Sequence, residues 1–192
     1  MARSVLYWPE SVACVAHEMG HALAAKAVHD APINVHLGAY WEEFSKDEQR
    51  TKGSKPGISI HPPFDFSKGF TTYKGRNTRI IDSAGPIAGI AISIGLLALM
   101  NKISQPNKAA QLLIESTKHV IRYEILHQTI YGLTPFYQPA SGDGYRLWKS
   151  FNVSENTLKK IKAFDSKKTI HDTCFNLVRL KWLYEINKII IK

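Results

Sequence analysis

The chain has 192 residues, 44% of them hydrophobic and 21% charged, enough for one domain with a packed core. Its formal net charge of +9 suits anionic surfaces such as acidic lipid, but the lysines are dispersed and no nucleic-acid motif is present, so nucleic acid is not an expected partner. The two cysteines, Cys14 and Cys174, stand outside any CxxC, which argues against a disulfide scaffold and fits a reducing compartment.

Arg3 could open a signal peptide, but Pro9 and Glu10 break the apolar region, so a cytoplasmic protein is expected, with membrane association as the alternative. A helix is predicted from Pro9 to Asp30. Pro9 suits its first turn, Glu10 complements its dipole, and Pro32 stops it. Within it stands His17-Glu18-Met19-Gly20-His21, an H-E-x-x-H sequence. Four residues of helix bring His17 and His21 onto one face, where two imidazoles can share a zinc ion. Glu18, one step round, can take a proton from a water that the metal activates. The surrounding run of Ala, Val and Cys predicts a buried helix. Burying two histidines and a glutamate there is costly unless something binds them.

Three short runs follow: Ile33 to Leu37, Gly57 to His61 and Phe70 to Tyr73. They alternate or are bounded by Gly and Pro, and they predict a small antiparallel sheet. An edge of that sheet near the metal would suit a peptide held by strand addition. The polar stretch from Glu42 to Lys55 reads as a surface excursion.

Ser83 to Met100 carries no charge. It fits either a buried core helix or a short membrane span. Its Gly85, Gly89 and Ser93 make a small-residue stripe that matches Ala16, Gly20 and Ala24 of the first helix, so the two are expected to pack tightly. Lys108 to Gly132 is an amphipathic helix, and Thr134 to Gly144 is a Pro- and Gly-punctuated loop. Two helices are predicted from Ser154 to Lys192, with Ser154 as a cap and Ile170, Cys174, Leu177, Leu180 and Tyr184 facing inward.

A catalytic zinc site needs a third protein ligand. Ala27 stands where a metzincin would have histidine. The carboxylates of Glu42, Glu43, Glu115, Asp82 and Asp143 remain open from the residues alone, a Glu giving a thermolysin-type site. A cysteine ligand is not expected, because Cys14, one turn before His17, reads as a small buried hydrophobe.

Three segments in order resemble the site-2 protease family of zinc metallopeptidases. They are His17-Glu18-Met19-Gly20-His21-Ala22-Leu23, Ala84-Gly85-Pro86-Ile87-Ala88-Gly89, and Gly142-Asp143-Gly144-Tyr145-Arg146. Together they span Val12 to Leu147. The resemblance implies His17, His21 and Asp143 as ligands of one Zn²⁺ and Glu18 as general base. It implies a metalloprotease acting on a protein or peptide substrate. Two features depart from the family. Gly89 stands where asparagine is common, and Leu133 to Ser141 carries Pro135 and Pro139 but no asparagine. His36, His61, Asn77 and Arg79 are the available substitutes for an oxyanion-stabilising residue. With one borderline span and a charged third helix, the chain reads as a soluble or membrane-peripheral relative. The rival of another class is a non-catalytic scaffold that retains a metal site.

The expected fold is α+β and mainly helical. A buried H-E-x-x-H helix packs on a glycine-rich apolar helix, with a small antiparallel sheet and C-terminal helices. Residues 1–150 form the metallopeptidase core and 151–192 a helical extension of the same domain.

Overall fold

The computed structural model describes residues 8–29, 32–38, 57–62, 65–73, 75–76, 78–104, 107–135, 142–165 and 169–191, the side chains of 162–171 excepted. Arg3, Asp30, Glu42, Glu43, Pro63, Asn77 and residues 136–141 of the predicted loop lie outside them, as does the polar stretch 42–55.

The fold is α+β and mainly helical, as the patterning predicts. Helix α1, Trp8–His29, has Pro9 as its second residue and Glu10 in its first turn. Strands β1 (Ile33–Leu37), β2 (Gly57–Ile60) and β3 (Gly69–Tyr73) form one sheet in the order β2-β1-β3. The sheet is mixed, which corrects the antiparallel expectation. β3 runs antiparallel to β1, with Val35 opposite Thr71, while β2 runs parallel, with Val35 opposite Ile58. A parallel neighbour needs a crossover instead of a hairpin, and residues 38–56 are long enough to supply one. Ala22 of α1 packs with Val35 and Leu37 of β1, and Val15, Met19, Ile33 and Phe66 close round them.

Helix α2, Arg79–Lys102, starts at Thr78, whose side chain accepts a hydrogen bond from the Ile81 N–H. It packs along α1 on the side away from the sheet. The approach is close at Gly20, where a Cβ would stand 2.5 Å from the Ala84 carbonyl oxygen and 2.8 Å from Ala88 Cβ. The tight pairing predicted from the small residues is therefore present, although the α2 partners of Gly20 are alanines. By length and composition α2 is the one helix among the described residues that could cross a membrane. Only 22% of its most apolar window is buried, so it is not the buried core helix that its composition allows.

Helix α3, Lys108–His127, is capped by Asn107 and runs into a wider π-turn, Gln128–Gly132. Gly132 lets that turn meet α2, because a Cβ there would stand 2.5 Å from the Pro86 ring. Helix α4, Asp143–Ser150, follows. Asn152 turns the chain with a left-handed backbone (φ 60°). Helix α5, Glu155–Asp165, starts at Ser154, whose Oγ accepts from the Thr157 N–H at 3.2 Å, as predicted.

Helix α6, Thr169–Ile191, lies against α3 with a different face from the one expected. Leu177, Leu180 and Tyr184 are exposed, Cys174 is half-buried, and the Ile170 side chain falls outside the described ones. Phe175 packs on Tyr123 and Trp182 stacks on His119 instead. The helix is apolar on nearly every side, so periodicity could not single out the inner face.

Candidate metal centre

The helical turn between His17 and His21 brings their rings edge to face, with centroids 4.7 Å apart. Asp143, the first residue of α4, reaches them from across the fold. Its Oδ2 lies 2.9 Å from His17 Nε2 and 3.2 Å from His21 Nε2, and the two nitrogens are 3.0 Å apart. A tetrahedral zinc ion with bonds of about 2.0–2.1 Å separates its ligands by about 3.3 Å. The observed triangle is that arrangement, slightly contracted. These three residues form a group that could hold a metal ion.

The outer hydrogen bonds set the ring tautomers. His21 Nδ1–H donates to the Ile81 carbonyl at 2.6 Å. His17 Nδ1 lies 2.6 Å from Gln128 Oε1. The Gln128 amide is itself oriented, because its Nε2–H donates to Glu124 Oε1 at 2.7 Å. The oxygen therefore faces His17, and His17 Nδ1 must carry the proton. Both Nε2 atoms are then bare lone pairs in the neutral rings, pointing with a carboxylate oxygen at one spot. Three acceptors converging without a cation repel one another. The charge balance expresses this. Burial opposes charge on His17, but the hydrogen bond from His17 to Asp143 and the fields of Glu18 and Asp143 outweigh it and raise its pKa to about 9. Burial likewise opposes charge on Asp143, and hydrogen bonds from the two histidines outweigh it, holding the carboxyl well below its usual range. The site demands a positive charge, and a divalent metal fits the donor set.

Asp143 is fixed from behind. Arg146, one turn on along α4, donates through Nη2 to Asp143 Oδ1, leaving Oδ2 for the histidines. Its Nε donates to Asp82 Oδ1 at 3.1 Å, and Asp82 is only 2% exposed. Asp82 is thus an anchor for Arg146, not a member of the ligand group. Glu115 is engaged by Lys118 at 2.7 Å on α3. Glu42 and Glu43 lie outside the described residues. Burial pushes the Cys14 thiol up, with the Glu18 field adding to it, so it stays a protonated thiol.

The glycines of α2 serve these side chains. A Cβ on Gly85 would collide with the His21 ring, and one on Gly89 would stand 3.1 Å from Gln128 Cδ. Gly144 is needed because a Cβ there would collide with the Thr134 carbonyl. Pro86, inside α2, has no N–H to give the Asp82 carbonyl, and the carbonyl one residue before that receives His21.

Glu18 is 6% exposed and lines the same cavity as His17. The Thr71 hydroxyl of β3 lies 2.8 Å from Glu18 Oε2 and 3.0 Å from the Glu18 carbonyl oxygen. Gly69 is needed beside it, since a Cβ there would stand 2.9 Å from Glu18 Cγ. The other sequence candidates are spent elsewhere. His36 pairs with His61 at 3.1 Å inside the sheet, and Arg79 Nε donates to the Ser150 carbonyl at 2.9 Å. Asn77 lies outside the described residues.

The sequence reading missed Thr71, Glu124, Gln128 and Arg146. Three of them left a local signal. Asp143 and Arg146 stand three apart, and Glu124 and Gln128 four apart, the spacings at which helical side chains meet. Comparisons of the chain with protein-family models, with curated proteins and with solved structures returned no match.

Proposed function

We propose that this protein is a zinc-dependent peptidase related to the site-2 protease family. The observation that carries the reading is the convergence of two imidazole Nε2 atoms and one carboxylate oxygen beside a buried glutamate. His17, His21 and Asp143 would hold the ion. A bound zinc supplies a Lewis acid that polarises a carbonyl and acidifies a water. Glu18 takes the proton of the attacking water and gives it to the leaving amine. Thr71 engages one Glu18 oxygen and leaves the other to accept that proton. Arg146 and Gln128 hold Asp143 and His17 in their ligating orientation. Strand β3 ends the sheet among the described residues and packs on α1 beside Glu18, which supports an extended peptide as substrate.

The exposed Ile80, Ile87, Ile94 and Leu99 of α2 support an enzyme that associates with a membrane.

The test is elemental analysis and peptide hydrolysis on three proteins. The parent should carry one zinc and cut peptides. Asp143→Ala should lose zinc while keeping its helical circular dichroism. Glu18→Gln should keep zinc and lose hydrolysis. A parent without metal after zinc is supplied, or turnover retained in Glu18→Gln, would refute the reading.

A further inference from the structure

A cavity of about 160 Å³ opens beside the centre, and its lining includes Glu10, Cys14, His17, Glu18, Glu124, His127 and Gln128. Glu10, Cys14 and Glu18 follow one another at four-residue steps, so they form one stripe along α1. Eight residues of helix put Glu10 about 12 Å from Glu18 along the axis. The cavity therefore runs from the proposed general base to a second, acidic end. It is smaller than the roughly 300 Å³ of the smallest usual small-molecule pockets, and it suits a single side chain.

The charge at that end is unbalanced. Among the described residues no lysine or arginine lines the cavity. Glu10 makes no hydrogen bond or ion pair among the described residues. Glu124 is 5% exposed, and its Oε1 takes the Gln128 amide. Its Oε2 has no hydrogen-bond partner among the described residues. A mostly buried carboxylate with one oxygen unbonded among the described residues thus lies in the wall of a cavity, where a donor can reach it. His127 Nδ1 lies 3.9 Å from Glu124 Oε1, on a half-exposed ring, and leaves Oε2 without a donor. Desolvation, and then the Glu124 field, raise the Glu10 pKa, and the opposing field of His127 does not offset them. A second metal does not fit. Among the described residues the only group whose ligand atoms converge closely enough is His17, His21 and Asp143.

We propose that this cavity is a specificity pocket for a lysine or arginine side chain of the substrate, seated between Glu10 and Glu124 within a few residues of the bond that is cut. The proposal rests on the peptidase reading for its substrate, and it adds the class of side chain that the substrate carries. An ammonium or guanidinium supplies several donors, enough to serve both carboxylates at once.

Hexapeptide pools, randomised except for one position fixed as Lys, norleucine or Glu, test it in two ways. Binding is measured on zinc-loaded Glu18→Gln protein, and cleavage on the parent. Each is repeated with Glu10→Lys, which changes the pocket and leaves the ligands, Glu18 and the Glu124–Gln128–His17 chain in place. The lysine pool should bind at least about tenfold more tightly than the norleucine pool, the worth of one charge-assisted hydrogen bond. Glu10→Lys should abolish that preference or turn it towards the glutamate pool. Equal binding of the lysine and norleucine pools, binding of neither, or a preference that Glu10→Lys leaves unmoved would overturn the pocket. A lysine preference in binding, with no cleavage of any pool by the parent, would leave the pocket standing and remove the peptidase reading.

Discussion

Replacing Gln128 with leucine isolates the contact that orients His17. The amide joins Glu124, at 2.7 Å, to His17 Nδ1, at 2.6 Å. Leucine is similar in bulk and fills the space beside Gly89, so the π-turn and its packing on α2 should survive. What disappears is the acceptor that keeps the proton on Nδ1. His17 can then carry it on Nε2, the atom that must ligate. The Glu124 Oε1 also loses its donor, but it faces the cavity and can take a water. Removing an outer partner of a ligating histidine costs about 10- to 100-fold in metal affinity, or about 1.4–2.7 kcal/mol. The lower half of that range is expected here, because His21, Asp143 and the Asp143–Arg146 pair are untouched. The assay is zinc competition against a chelator of known affinity at neutral pH, with circular dichroism as the control for folding. A folded Gln128→Leu protein that binds zinc within twofold of the parent would refute the claim that this amide sets the tautomer.

Gly85→Ala should weaken zinc binding more than Gln128→Leu and destabilise the fold by about 1–3 kcal/mol, because the new methyl enters the space of the His21 ring; urea unfolding and the same chelator titration read both. Arg146→Met leaves Asp82 buried without its cation and should cost on the order of 2 kcal/mol in urea unfolding, with most of it recovered in the double variant that adds Asp82→Asn. In the metal-free protein the His17 pKa is raised from 6.5 to about 9, so its contribution to stability is complete below about pH 6.5 and is lost as pH rises through 9. Thermal unfolding should show that decline from pH 6.5 to 9 without zinc, and a flatter profile with zinc, which replaces the proton; a flat metal-free profile would contradict it.

The parts of this protein that were legible in the sequence are those written within one helix or strand. The pairing of His17 with His21 is a property of five consecutive residues, and no tertiary contact is needed to read it. The same holds for the caps at Ser154 and for the strand runs. Asp143 is different. It lies 126 residues from His17 in the chain, and spacing alone left it level with Asp82 and three glutamates. Only the resemblance of three ordered segments singled it out. The structure separates it from Asp82 by what each carboxylate meets: histidine nitrogens in one case, Arg146 in the other. The face of α6 was misread for an opposite reason. Its pattern is regular enough for a helix but apolar on too many sides to choose one. The direction of β2 is a matter of how it pairs with β1, on which strand composition is silent.

The small residues of α1 and α2 show how fold and site depend on each other here. Gly20 lets the helices approach until Cβ-sized gaps vanish at Ala84 and Ala88. That approach brings the Ile81 carbonyl to His21 Nδ1, and the absence of a side chain at Gly85 leaves room for the ring between them. One turn further, Gly89 leaves room for Gln128, which reaches His17 from α3. Each imidazole is thus oriented through a gap in α2. A larger residue at either glycine would collide with the side chain that already occupies its gap, so it would cost both packing and the orientation of the imidazole. The two glycines fall where the His21 ring and the Gln128 amide that holds His17 need room, which is the arrangement expected if α2 was shaped around the His17–His21–Asp143 group.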